Sequence, residues 1–238
     1  MHSADCVVAG IPTTIIRAGL RPSATIALLH GFSMQPSDLA PFAHSLGLSG
    51  IFALPRAPLT VAGGGFAWWD VDAEVRARAH RAGGRDLATA EPVGRGLARR
   101  KILDWLNALP ADLKSGPLIL GGFSQGGMLA GDAYLMEGLK LSALIMLSAS
   151  RIAINDWSPR LSRAKGLPVF ISHGEQDDDL SFSAGRELAD TFRNAGASVT
   201  FVPFPGRHEI PLLVWRALRA FLRPFCDART TPLDSIDG

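Results

Sequence analysis

Short apolar runs recur along the chain, each closed by small or polar residues and most followed by a longer segment with helical spacing. Residues 13–17 and 25–29 are β-prone runs separated by Gly19 and Pro22, which predicts two neighbouring strands joined by a turn. Further strands are predicted at 51–54, stopped by Pro55 and Pro58, and at 118–121, 144–147, 169–172 and 199–204. Helix-compatible segments lie at 36–46, with Ser33 or Gln35 at its start, and at 91–109, 127–137, 182–194 and 209–225, the last despite Pro211. In the second of these, Leu97, Ile102, Leu103, Trp105, Leu106 and Leu109 form one apolar face. Short buried strands alternating with helices predict an α/β fold, a mainly parallel sheet covered on both faces. No internal repeat divides the chain, so residues 1–238 read as one domain, with 227–238 a loosely packed tail.

Composition narrows the picture without changing it. Hydrophobic residues at 47% and charged residues at 19% allow a sizeable core and argue against disorder. A formal charge of +2 is too small to favour a nucleic-acid partner. Basic residues gather at Arg76, Arg78, Arg81 and Arg85, and again at Arg95, Arg99, Arg100 and Lys101, and both groups read as solvated faces with local ion pairs. Cys6 and Cys226 would meet only if the termini packed together, and two buried thiols are the simpler reading. With no apolar stretch of membrane-spanning length and no basic-then-apolar leader, a cytoplasmic protein without stable membrane insertion is expected. The least regular informative region, residues 56–72, sets Gly63–Gly64–Gly65 directly before Phe66, Trp68 and Trp69, a loop that either bends close to a ligand or makes a tight connection to core aromatics.

The candidate chemistry centres on Gly122–Phe123–Ser124–Gln125–Gly126, between a predicted strand and a predicted helix. Small residues on both sides relieve the crowding of a sharp turn that lifts one serine, as an acyl-transfer nucleophile requires. Such chemistry also needs a base, an acid that orients it, and donors for the oxyanion. His208 follows the last predicted strand and Asp177 the one before it, so the chain order is Ser, Asp, His. Asp177 and Asp178 are equal candidates for the acid on local grounds, and Asp179 stands beside them. The backbone N–H groups of Phe32 and Gln125 are the expected oxyanion donors, with the Gln125 side chain bonded locally. Phe32, Met34, Trp69 and Trp157 are the candidate substrate-pocket residues. A pocket this aromatic, and short of nearby cations, would favour small uncharged esters, aryl esters included.

These segments resemble the phospholipase/carboxylesterase family of α/β-hydrolases, which includes acyl-protein thioesterases and small bacterial carboxylesterases. Leu29–His30–Gly31–Phe32–Ser33 is similar to its early oxyanion loop, Gly122 to Gly127 to its nucleophile turn, His173–Gly174–Glu175–Gln176–Asp177 to its acid loop, and His208–Glu209–Ile210 to its base region. The resemblance covers about residues 11–223 and implies an α/β-hydrolase fold with a minimal cap, Asp177 as the acid, and hydrolysis of short or medium acyl esters, acyl thioesters or lysophospholipids. The family's substrate-side loop is similar to Arg56–Ala57–Pro58 and residues 63–70. Two departures stand out: Ser33 where glycine is common, and Asp178–Asp179–Leu180–Ser181 where a small apolar residue and proline are expected. The expected substrate is a small-molecule ester, with an acyl thioester or lysophospholipid as the alternative. No cofactor and no metal is expected, since His173 and Asp177 lack further ligands of suitable spacing. A non-catalytic binding module is the alternative from another class, and oligomeric state, a homodimer included, is left open.

Overall fold

The computed structural model describes residues 2–20, 22–114 and 116–226; the tail expected to be loosely packed lies outside them. The strands are β1 (His2–Val8), β2 (Ile11–Ala18), β3 (Thr25–Leu29), β4 (Gly50–Pro55), β5 (Leu59–Thr60), β6 (Phe66–Ala67), β7 (Leu118–Phe123), β8 (Ala143–Leu147), β9 (Pro168–Gly174) and β10 (Ser198–Phe204). The helices are α1 (Ala40–Ser45), α2 (Ala73–Arg81), α3 (Arg95–Ala108), α4 (Gln125–Glu137), α5 (Ile154–Trp157), α6 (Phe182–Asn194) and α7 (Leu212–Cys226). Eight strands form one sheet in the order β1-β2-β4-β3-β7-β8-β9-β10, and β5 and β6 form a separate hairpin. The β1–β2 and β2–β4 pairs are antiparallel; every pair from β4 to β10 is parallel.

Both faces of the sheet are covered, as continuous apolar strands require. Along β3, Ala27 and Leu29 point into a core shared with α3, α4 and α6, whereas Ile26 and Leu28 point into a second core shared with α1 and α7. β3 and β7 lie side by side at the centre, so the loops after their C-terminal ends emerge together.

The strands β2 and β3, predicted as neighbours, are separated by β4. All six residues of β4 are buried, so it occupies an interior place in the sheet. β1 was not legible because it is an exposed edge strand without an apolar alternation. The predicted helix at 36–46 divides into a 3₁₀ turn at Pro36–Asp38 and α1, with Pro41 in the first turn of α1, where its missing N–H is tolerated. α3 starts at Arg95 after Gly94, whose φ is 90°, and Leu97 is exposed; the buried face is Ala98, Ile102, Trp105 and Leu106. α2, unforeseen, buries none of its residues. Its start is set by Asp72, whose carboxylate accepts from the N–H groups of Glu74 and Val75 at 2.9 Å. Cys6 is exposed and Cys226 buried, each as a thiol. Among the described residues no helix is long and apolar enough to cross a membrane.

Candidate active site

A single residue, Ser124, connects β7 to α4, with φ 52° and ψ −117°. This conformation costs a non-glycine residue about 1–3 kcal/mol and persists only where its surroundings over-determine it. Ser124 N–H donates to Leu147 O at 2.8 Å, and Ser124 O accepts from Met128 N–H at 3.0 Å. The flanking glycines are a packing requirement: a Cβ on Gly126 would lie 2.0 Å from Leu29 O, and one on Gly122 would lie 2.4 Å from the same atom. Gln125 opens α4, so its N–H belongs to the group a helix leaves without an intrahelical acceptor, at the positive end of the helix dipole.

The loop after β9 holds Asp177, which is buried. Its Oδ1 accepts from the N–H groups of Asp179 and Leu180, both at 2.9 Å, and its Oδ2 accepts from His208 Nδ1 at 2.7 Å. His173 Nε2 donates to Leu180 O at 2.9 Å and lies 3.2 Å from Asp177 Oδ2. Burial pushes the Asp177 carboxyl up, but hydrogen bonds from His173 and His208, the His208 charge and the Leu180 N–H outweigh it and hold the carboxyl well below the usual carboxylate range. Asp178 turns away to Arg207 at 2.5 Å, with His80 at 3.7 Å. The imidazole of His208 lies against Phe123, the residue before Ser124, with ring centroids 4.9 Å apart.

The loop after β3 completes this end of the sheet. Residues 31–34 form a turn closed by Met34 N–H to Gly31 O at 3.3 Å, with Phe32 half-buried and lining the site and Ser33 at φ 61°. That left-handed angle explains why glycine suits the position where Ser33 departs from the family pattern. Behind it, His30 is buried; Ala57 N–H donates to its Nε2 at 3.0 Å, so Nδ1 carries the proton and donates to Gly31 O at 2.8 Å. Burial pushes the His30 imidazole below its ordinary value, which keeps this neutral form.

The Gln125 side chain, expected to bond locally, spans to the glycine-rich segment instead. Its Oε1 accepts from Trp68 N–H at 2.9 Å and its Nε2 donates to Trp69 O at 2.8 Å. Trp68 Nε1 donates to His30 O at 2.9 Å, and Ser33 and Phe66 are joined by a further bond of 2.9 Å. Residues 66–69 are thus tied to both the early loop and the Ser124 turn. Gly65 is the tightest point: a Cβ there would lie 1.9 Å from Ser33 O, at a φ of +76°. Gly65→Ala is expected to displace the Phe32 turn and lower the thermal midpoint by roughly 4–8 °C, about 2 kcal/mol, with a loss of kcat/KM in the same preparation. A melt and activity equal to those of the unaltered protein would show that the loop is not held at this point.

Ser124 opens on a partly open cavity of about 120 Å³, walled by Phe32, Trp69, Leu87 and Met128 on its apolar sides and by Arg76, Arg85 and Asp179 on a charged one. A wider groove of about 700 Å³ runs beside it along 58–62 and shares Phe32, Asp70 and Val71 with it. Met34 and Trp157, expected at the substrate, do not line this cavity. Met34 is half-buried against Gly31. Trp157 is fully buried in the core, where its Nε1 donates to Asp132 at 2.8 Å. The expectation of few nearby cations is also corrected: Arg76 and Arg85, read as solvated, turn inward because both pair with the buried Asp179. Sequence missed this cluster because its members are 94 and 103 residues apart; the helix cap at Asp72 was the available signal for the element that carries Arg76. Among the described residues no group of three or more His, Cys, Asp or Glu side chains converges as a metal site.

A sheet of this order, with Ser124, Asp177 and His208 on the loops at the C-terminal ends of β7, β9 and β10, is that of an α/β-hydrolase. The chain belongs to the phospholipase/carboxylesterase family, whose sequence model matches residues 12–225, and it is an ester hydrolase. Acyl-protein thioesterase 1 of Neurospora crassa is 25% identical over 228 residues, covering 89% of this chain and 90% of that protein. Acyl-protein thioesterase 1 of Emericella nidulans is 26% identical over 210 residues, covering 79% and 83%. Among solved structures, esterase PE8 superposes with a TM-score of 0.73 at 25% identity, covering 89% of this chain and 97% of its own. Acyl-protein thioesterase 2 of Zea mays does so with a TM-score of 0.68 at 22% identity, covering 88% and 96%, a likeness of fold.

Proposed function

We propose that the protein is a serine carboxylesterase that hydrolyses short acyl esters through an acyl-enzyme. The observation that carries this reading is the 2.7 Å bond from His208 to Asp177 on an imidazole packed against the strained Ser124 turn. With its Nδ1 proton donated to Asp177, His208 presents a lone pair at Nε2. The Ser124 hydroxyl attacks the substrate carbonyl and its proton passes to that nitrogen. The negative charge that develops on the carbonyl oxygen is met by the N–H groups of Gln125 and Phe32. The imidazolium then protonates the leaving alkoxide, the alcohol departs, and water repeats the sequence on the acyl-enzyme to release the acid and free Ser124.

Cavity size supports the short acyl group. A cavity of about 150 Å³ holds one benzene, so the 120 Å³ here suits an acyl group of about four or five carbons. A second reading, hydrolysis of long acyl thioesters, is supported by the thioesterase relatives and by the adjoining 700 Å³ groove, which has room for a longer chain. Comparing kcat/KM across p-nitrophenyl esters of increasing chain length and a palmitoylated peptide separates the two. We expect a maximum at short chains and a fall beyond about six carbons. A preference for the palmitoylated peptide would establish the second reading.

A further inference from the structure

The charged wall of the Ser124 cavity adjoins the chemistry above: Asp179 Oδ2 lies 3.9 Å from His208 Nε2, and its Oδ1 lies 3.6 Å from His80 Nε2. Asp179 is 2% exposed, and two guanidinium groups share its carboxylate. Arg76 donates from Nε to both oxygens at 3.1 Å and from Nη2 to Oδ2 at 2.5 Å; Arg85 donates from Nη2 to Oδ1 and from Nε to the Asp179 carbonyl at 3.3 Å. The Arg85 main chain is pinned to the same loop, its N–H on Asp179 O at 2.9 Å and its carbonyl accepting from Ser181 N–H at 3.0 Å. Arg76 is also held over the Phe32 ring, 5.3 Å from its centroid. Burial pushes the Asp179 carboxyl up, but the Arg76 hydrogen bond and the charges of Arg85, His208 and Arg76 outweigh it and keep the carboxyl below its ordinary range, so it is ionised. The wall therefore carries two positive charges against one negative, and neither Nη1 amino group takes part in these bonds. The remaining charged group on the cavity, Asp70, is exposed where the cavity meets the groove.

A plain alkyl chain filling this space would strip water from the guanidinium groups and return no hydrogen bond. A carboxylate would bring the wall to neutrality and accept charge-assisted bonds from planar forks suited to it. We propose that Arg76 and Arg85 select acyl groups that end in a carboxylate, so that the preferred substrates are half-esters of short dicarboxylic acids. This rests on the Ser124 ester-hydrolysis reading. Hydrolysis of such a half-ester consumes one water and yields the dicarboxylate, the alcohol and one proton.

The test compares monoethyl succinate with ethyl 4-methylpentanoate, whose isopropyl end has the shape of a carboxylate without its charge, by pH-stat at neutral pH. The expected kcat/KM ratio favours the half-ester by at least about tenfold at low salt. It should shrink as ionic strength rises from about 0.02 to about 0.5 M. Arg76→Gln and Arg85→Gln should each lower the ratio about tenfold, whatever their effect on absolute rates, and Arg76→Lys should fall between. Equal or faster hydrolysis of the uncharged ester by the unaltered protein would overturn the proposal and leave the esterase reading standing. Hydrolysis of neither ester, with no labelling of Ser124 by a serine-directed phosphonate, would overturn both.

Discussion

Ser124→Ala is expected to lower kcat for ester hydrolysis by a factor on the order of 10⁵ and to abolish covalent labelling by a serine-directed phosphonate. The substitution removes one oxygen from a residue that is 7% exposed, while the bonds from its N–H to Leu147 and to its carbonyl from Met128 use only main-chain atoms. Alanine inherits the same backbone angles and makes the same packing contacts, so the thermal midpoint should move by no more than about 2–4 °C. Loss of activity with the fold intact then isolates the hydroxyl. In the unaltered protein, peptide mapping should find the phosphonate on Ser124. A label on another serine, or hydrolysis by the alanine variant within about tenfold of the starting rate, would remove Ser124 from the mechanism.

The second large effect is expected at Asp177, where Asp177→Asn should lower kcat about 10⁴-fold while Asp178→Asn stays within about threefold. Geometry dictates the direction. At Asp177 Oδ1, the N–H groups of Asp179 and Leu180 both need an acceptor, so an asparagine must keep its carbonyl oxygen there. Its amide nitrogen then faces His208 Nδ1 and donates to it. This forces the imidazole proton onto Nε2, the nitrogen that has to accept from Ser124. Asp178 has no such position, since its carboxylate is on Arg207 and His80 at the surface. The same variant has a signature in stability. Because the folded-state pKa of Asp177 is depressed, its carboxylate contribution is complete above the unfolded value of about 4 and is lost as pH falls through the folded one. Asp177→Asn should therefore flatten the acid limb of a plot of thermal midpoint against pH. Equal losses in the two asparagine variants, or a larger one at Asp178, would reassign the acid.

Residues whose role is set within a few positions were legible without coordinates. The two glycines around Ser124 follow from the steric demands of a one-residue strand-to-helix turn, and both meet Leu29 O at distances that exclude a side chain. The alternation of β3, β7, β8 and β9 with helices likewise expresses burial on both faces of a parallel sheet, a property each segment carries in its own composition. β1 and α2 escaped because they bury little, and a segment that contributes little to the core has little periodic signal to read.

What depended on the tertiary structure was direction and long-range company. Adjacent aspartates in one turn point to different partners, so Asp177, Asp178 and Asp179 separate only when His208, Arg207 and Arg76 are brought up by other elements. Trp69 and Trp157 are equally apolar, yet one walls a cavity and the other fills the core, because their places are set by loops and helices remote in sequence. Gln125 looked like a local hydrogen-bonder and instead joins the Ser124 turn to a segment 56 residues earlier. The backbone of the Ser124 turn was therefore written in local sterics. The shape and charge of the surface around Ser124 were not, since they arise where α2, the loop after it and the loop after β9 converge on residues that no short stretch contains.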